Sequence, residues 1–182
     1  HTYLFLDDVI NQSSSPAGFP AAWGGTTADY EMDTEVTQNP IYQNQMQSAL
    51  QSIPTMSIVM DMDEMFGGGG IYTNSGGRGV GWERETSLEY FDPNSSDEFQ
   101  IDAGLRIYGG AFRGMGLTRK KSFRVLFKGD YGATKLNFPL FDAEDAATSF
   151  DNIVLRAGAN DGWNNWGKAN TQYIIDEYMR RL

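Results

Sequence analysis

The sequence predicts an α+β domain built on one antiparallel β-sheet with two helices. Between residues 82 and 128, apolar and polar residues alternate with the period of a half-buried strand, and the turns between the alternating stretches are short. Apolar residues recur at helical spacing in 40–53 and again in 171–181. No internal repeat and no linker divides the 182 residues, a length that suits one fold with a sizeable core.

The first 66 residues are expected to form a leader region packed on the domain. The apolar run at 3–6 favours an edge strand, and the glycine- and proline-rich stretch 11–25 favours a surface loop. Pro40 suits the first position of a helix, which Pro54 would end. The β-favouring run at 55–60 predicts a buried strand.

The remainder of the chain, 67–182, is expected to carry the sheet. Alternation predicts an antiparallel meander whose strands cover residues 82–91, 99–108 and 122–127. Pro139 keeps the extended stretch 136–141 out of the centre of a sheet. A further strand is expected at 150–156, and Thr171 would cap a final helix.

Composition excludes several classes of site and partner. The net charge of −10 argues against nucleic acid and against anionic membranes, and no apolar run is long enough for a membrane span. The chain has no cysteine and one histidine, His1. Disulfides, zinc sites built on cysteine or histidine, and Ser-His-Asp catalysis are therefore not expected.

Positive charge is concentrated in the stretch 106–135, which contains eight of the 14 lysines and arginines and a single acid, Asp130. Four glycines lie in its first part, between the two predicted strands. Bare backbone next to several cations is one way to hold an anion. The more common explanation is that such cations simply keep a sheet face solvated and discourage edge pairing.

Acidic residues dominate the first part of the chain, where no lysine or arginine precedes Arg78. A solvated acidic face is the more common explanation. A calcium site on Asp29, Glu31 and Asp33 is a weaker alternative, because no twelve-residue calcium loop is present.

Several motifs occur together, and in this order: IYTN, WERETSLEYF, GLRIYGGAFR, KKSFRVLFKGDYG, FPLF, FDNIVLRAGANDGW and QYIIDEYMRR. They resemble the CotH-type spore-coat protein kinase family, and more closely the CotH domain of large secreted bacterial proteins. The stretch Arg106–Arg113 resembles the family's Arg-Gly-Asn-x-x-Arg pattern, from which Tyr108 and Gly110 depart. Lys120–Arg124 is similar to its Lys-Lys-Ser-Tyr/Phe-Arg element.

The resemblance implies the amino-terminal, nucleotide-side lobe of an atypical protein kinase that uses ATP and magnesium. It makes Lys121 the expected phosphate-contacting residue, because Lys121 shares strand parity with Phe123 and Val125. Lys120 and Arg106 are weaker candidates. Glu177, on the final helix, would orient Lys121.

In the family the catalytic and magnesium-binding aspartates lie beyond the final helix, so the chain is expected to be inactive alone. The resemblance implies a secreted, extracellular bacterial protein with a protein substrate. The alternative is an extracellular structural or assembly module without catalysis, such as a matrix or filament subunit.

Overall fold

The structure is a computed structural model that describes residues 2–23, 26–114, 116–141 and 143–158. Nine strands lie in this part of the chain: β1 (Ala22–Trp23), β2 (Thr26–Thr27), β3 (Thr55–Val59), β4 (Arg84–Phe91), β5 (Glu98–Tyr108), β6 (Ser122–Leu126), β7 (Leu136–Asn137), β8 (Ser149–Phe150) and β9 (Asn152–Leu155). The α-helices of the same part are short: α1 (Leu6–Ile10), α2 (Thr34–Thr37), α3 (Met46–Leu50) and α4 (Met62–Phe66).

Five strands form the main sheet, in the order β3-β4-β5-β6-β9, and every neighbouring pair is antiparallel. The prediction of an α+β fold on an antiparallel sheet is confirmed. The predicted meander is also confirmed, because β4, β5 and β6 are consecutive both in the chain and in the sheet. Two further pairs, β1-β2 and β7-β8, stand apart from the main sheet.

One face of the main sheet holds the hydrophobic core. The core residues Leu88, Leu105 and Val125 have no exposed surface. Leu105 pairs with Val125, which in turn pairs with Ile153, so the apolar side chains of adjacent strands stand in one row. Because cross-strand partners share a face, this register buries the apolar side of the sheet at its centre, while Phe99 and Ile101 near the start of β5 are half-buried.

The other face of the sheet is polar and changes sign along its strands. Acids lie towards the middle of β4 and β5, at Glu85, Glu89 and Asp102. Further along β5 the same face carries Arg106, which pairs with Arg124 of β6. The basic end of this face lies next to the turn that joins β5 and β6.

The segment 67–82, between α4 and β4, closes over that end of the sheet. Ile71 and Tyr72 are buried, and the Tyr72 hydroxyl donates a hydrogen bond to the Arg119 carbonyl oxygen at 2.6 Å. A Cβ at Gly77 would lie 2.3 Å from the Trp82 indole, so a side chain there would displace the ring. These contacts bring the segment, with Arg78, to the β5-β6 turn.

Residues 3–6 do not form the predicted edge strand. The chain is irregular there, and α1 begins at Leu6. Asp7 and Asp8 lie in the first turn of α1, where negative charge is favourable, and the Val9 amide donates to the Phe5 carbonyl. A run of four apolar residues is too short to distinguish a strand from the start of a helix.

The predicted helix over 40–53 is largely wrong, because its α-helical part is α3 alone. The Asn39 side chain accepts a hydrogen bond from the Ile41 amide and holds the start of this stretch as a turn, which a 3₁₀ segment follows at Gln43–Gln45. The predicted strand at 55–60 is present as β3, but it is an edge of the described sheet, and Val59 is exposed.

The later predictions have mixed outcomes. The extended stretch 136–141 contributes β7 alone, away from the main sheet. The strand expected at 150–156 is divided, because Phe150 belongs to β8, which pairs with β7, and only Asn152–Leu155 join the main sheet as β9. The predicted final helix lies outside the described residues.

Candidate functional site

An open pocket of about 500 Å³ lies at the basic end of the polar sheet face. Four arginines line it, namely Arg78, Arg106, Arg113 and Arg124. Its remaining walls are glycine backbone, Ile107 and Tyr108, and no acidic residue is among the described residues that line it. We call this site the arginine pocket.

Two of the arginines are fixed by the sheet itself. Arg106 on β5 and Arg124 on β6 stand directly opposite each other in the antiparallel register. Like charges in such a pair destabilise a sheet. The pair therefore raises the energy of the empty pocket, and a bound anion would relieve the repulsion.

Arg113 lies at the end of a short 3₁₀ turn between β5 and β6, and it is buried. Its guanidinium donates hydrogen bonds to three carbonyl oxygens: from Nε to Ser75 at 3.0 Å, from Nη1 to Ile107 at 2.6 Å, and from Nη2 to Gly77. The Ser75 hydroxyl in turn donates to the Arg113 carbonyl. These bonds join the β5-β6 turn to the segment that carries Arg78.

The charge of Arg113 has no carboxylate partner within 4 Å among the described residues. Burial lowers the pKa of Arg113, and the neighbouring charges of Arg78 and Arg106 lower it further. Carbonyl oxygens satisfy the hydrogen bonds of a buried cation but supply no negative charge, and buried charges are normally paired. An anion in the pocket would supply the missing charge.

Arg124 packs against Tyr108, with its guanidinium carbon 4.9 Å from the ring centroid. Its Nε is buried and has no hydrogen-bond acceptor in the part of the chain that the structure describes. An unpaired buried donor is costly, because no hydrogen bond offsets its loss of water.

Two glycines at the rim of the pocket adopt conformations that other residues avoid. Gly79 has φ +81° and Gly109 has φ +118°. A Cβ at either position would meet no atom within 4 Å, so it is the backbone conformation and not the space that requires glycine. Without side chains, these turns leave the pocket open to a ligand.

One acid lies beside the pocket, but other groups already engage it. The buried Glu83 accepts hydrogen bonds through Oε1 from Lys128 Nζ at 2.6 Å and from the Tyr131 hydroxyl at 3.1 Å. Its Oε2 is 3.7 Å from Arg106 Nη1, without a hydrogen bond. Glu83 thus balances Lys128 and part of the charge of Arg106, and the other three arginines have no carboxylate within 4 Å in the described part of the chain.

The residues predicted from sequence do not gather at one place. Arg106 lines the arginine pocket, whereas Lys120 is exposed and neither lysine lines the pocket. Lys121 is buried, and its ammonium donates to the carbonyl oxygens of Phe112 at 3.4 Å, of Gly114 at 3.0 Å and of Thr118. Glu177 lies outside the described residues, so its pairing with Lys121 stays a prediction.

The sequence places Arg113 and Arg124 in family-like motifs, but neither of them, nor Arg78, was predicted to contact phosphate. A signal for Arg124 was present, because pairing Ile107 with Phe123 in the predicted hairpin places Arg124 opposite Arg106. No local signal marks Arg78. Its segment is held at the pocket by hydrogen bonds with Arg113 and Arg119, which lie 35 or more positions after Arg78 in the chain.

One of the acids considered for calcium, Asp33, caps a helix. Asp33 accepts a hydrogen bond from the Glu35 amide at the start of α2, as Asp61 does from the Asp63 amide at the start of α4. Within the described ranges, no three His, Cys, Asp or Glu side chains are placed to hold a metal ion. No helix of the described chain is both long and apolar enough to cross a bilayer.

No family model, curated protein or solved structure matches the chain.

Proposed function

We propose that the chain binds the phosphate groups of a ligand in the arginine pocket, as the nucleotide-side lobe of a secreted CotH-like protein kinase. The observation that carries the proposal is the buried guanidinium of Arg113, which lacks a carboxylate within 4 Å among the described residues and lies beside the directly opposed Arg106 and Arg124. Phosphate suits a site of several converging arginines, because its oxygens can accept two parallel hydrogen bonds from a guanidinium.

ATP is the phosphate-bearing ligand that the motif resemblance favours, with magnesium as its counter-ion. Phosphoryl transfer depends on cations around the phosphates, on carboxylates that hold magnesium and on a positioned nucleophile. The described residues offer the cations. The carboxylates would come from the other lobe of the kinase, so this chain would contribute binding and not catalysis.

Binding of pyrophosphate and of ATP tests the proposal. The double variant Arg106→Gln/Arg124→Gln keeps hydrogen-bonding side chains but removes the opposed charges. Each charged hydrogen bond lost costs about 1.5–3 kcal/mol, so affinity should fall by about a hundredfold or more, as measured by calorimetry. The matched control is Lys135→Gln, a cation in an exposed pair with Asp151, which should bind as the wild type does.

Two results would contradict the proposal. One is a wild-type chain that binds neither pyrophosphate nor ATP. The other is a double variant that binds both as tightly as the wild type, which would place the ligand elsewhere.

The kinase part of the proposal needs a separate measurement on a longer protein that includes both lobes of the proposed kinase. With ATP and magnesium, that protein should label itself or a protein partner, and Arg106→Gln should reduce the labelling. Phosphate binding by the chain without any labelling by the longer protein would favour the extracellular assembly module instead.

A further inference from the structure

Lys121 is the second buried cation of the β5-β6 turn, after Arg113, that has no carboxylate partner within 4 Å in the described ranges, and the proposed function does not use it. It is 5% exposed. Its three ammonium hydrogens meet three carbonyl oxygens, those of Phe112, Gly114 and Thr118. An ammonium has three donors, so these contacts saturate it. In this state Lys121 has no hydrogen left to offer a ligand.

The carbonyls that Lys121 holds are placed on either side of Arg113. Phe112 precedes Arg113 in the chain and Gly114 follows it. Thr118 lies near the other end of the same turn, so one ammonium ties both ends of the turn together. Lys121 thereby fixes the backbone on both sides of Arg113, while the carbonyl oxygens of Ser75, Gly77 and Ile107 fix its guanidinium.

We infer that Lys121 is a positioning residue of the arginine pocket: it closes the turn 112–118 and so holds the Arg113 guanidinium where a phosphate binds. This inference rests on the proposed function. It gives Lys121 a role different from the direct phosphate contact that the sequence resemblance implies. The two roles predict different behaviour of the ligand-free protein. Removing a side chain that only contacts the ligand would leave the turn unchanged, whereas removing a side chain that closes the turn would loosen it.

Hydrogen exchange of the ligand-free protein tests the closure of the turn. Lys121→Met keeps the length of the side chain and removes all three donors. The amides of Arg113, Gly114 and Leu117, which donate within the turn, should lose protection, whereas those of β6 should keep it. Lys120→Met is the matched control, because Lys120 is the exposed neighbour of Lys121 and has the same charge. In this variant the turn 112–118 should exchange as in the wild type.

Pyrophosphate binding tests the link to the pocket. The affinity of Lys121→Met should fall at least tenfold, and saturating pyrophosphate should restore the lost protection, because the ligand draws Arg113 back into place. Lys120→Met should bind as the wild type does. If Lys121→Met does not fold, Lys121→Arg keeps the charge but replaces the compact ammonium, on which three carbonyl oxygens converge, with a larger planar guanidinium. Its turn protection and its affinity should then fall together.

Three outcomes overturn the inference. In the first, the turn of Lys121→Met exchanges as in the wild type, which would leave direct contact as the role of Lys121. In the second, the turn of Lys121→Met loosens while its pyrophosphate affinity stays the same. In the third, Lys121→Arg loses turn protection without losing affinity, or the reverse. The second and third outcomes would each show a purely local role. A wild type that binds no pyrophosphate overturns the proposed function, whereas the exchange measurement still decides whether Lys121 closes the turn.

Discussion

Tyr131 shows how one side chain ties the sheet to the turn after β6. Its hydroxyl donates to Glu83, and its ring lies so close to β5 that a Cβ at Gly104 would be 2.5 Å from ring atom Cε2. Burial, the hydrogen bond to Glu83 and the charges of Glu83, Asp130 and Glu85 raise the pKa of Tyr131 from 10.0 to about 12.

This shift predicts a specific alkaline effect. Since the pKa of Tyr131 is higher in the folded state than in the unfolded state, its contribution to stability is complete below about pH 10 and is lost as pH rises through about 12. The free energy of unfolding should therefore decrease between these pH values more steeply in the wild type than in Tyr131→Phe. Denaturant titrations at several pH values measure both slopes, and equal slopes would contradict the prediction.

At the scale of the element, β5 is the strand on which the site depends. It pairs with β4 over eight residues and with β6 over five, and it carries core residues on one face and Arg106 on the other. Gly104 lies in the middle of β5, where Tyr131 and Glu83 occupy the space that any side chain would need. A glycine in a strand interior normally weakens the strand, so here close packing compensates for the loss.

Gly104→Ala should therefore destabilise the fold, although alanine normally suits a strand better than glycine does. Displacing Tyr131 and Glu83 should lower the free energy of unfolding by about 1–3 kcal/mol, the usual cost of overpacking. Gly68→Ala, where a Cβ would meet no atom within 4 Å, is the control and should change stability little. Denaturant unfolding of both variants measures the difference. Equal stabilities would show that Tyr131 moves aside freely.

At the scale of the whole molecule, the chain has a net charge of −10 although four arginines line its pocket. The screening length is about 10 Å at 0.1 M ionic strength, so at physiological salt a ligand in the pocket interacts mainly with the nearby arginines. The overall acidity then affects how a ligand approaches more than how tightly it is held.

Salt should separate these two effects. At equal ionic strength, sodium sulfate should weaken pyrophosphate binding more than sodium chloride does, because sulfate is itself a tetrahedral oxyanion that can occupy the pocket, whereas chloride mainly screens. Calorimetric titrations in the two salts measure the ratio of affinities. A ratio of one would indicate that the arginines provide a diffuse positive potential and not a defined oxyanion site.

The parts of the molecule that could be predicted from sequence are those with a long local pattern. The alternation across β4, β5 and β6 extends over enough residues to identify strands and their order. The run at 3–6 and the stretch 40–53 were misassigned because a few residues, such as Asp7 or Asn39, decide local structure there. In the site, Arg106 could be predicted because it lies in the basic stretch 106–135. Arg78 could not be predicted, because long-range contacts bring it to the pocket.

The change of sign along β5 gives the polar sheet face a direction. Asp102 and Arg106 are four residues apart on this face, a separation of about 13 Å at the usual rise of a strand. Tyr131 and Glu83 lie over Gly104, midway between these two charges. The acidic and the basic parts of the face are therefore separate surfaces, and a ligand of the arginine pocket meets the basic part alone.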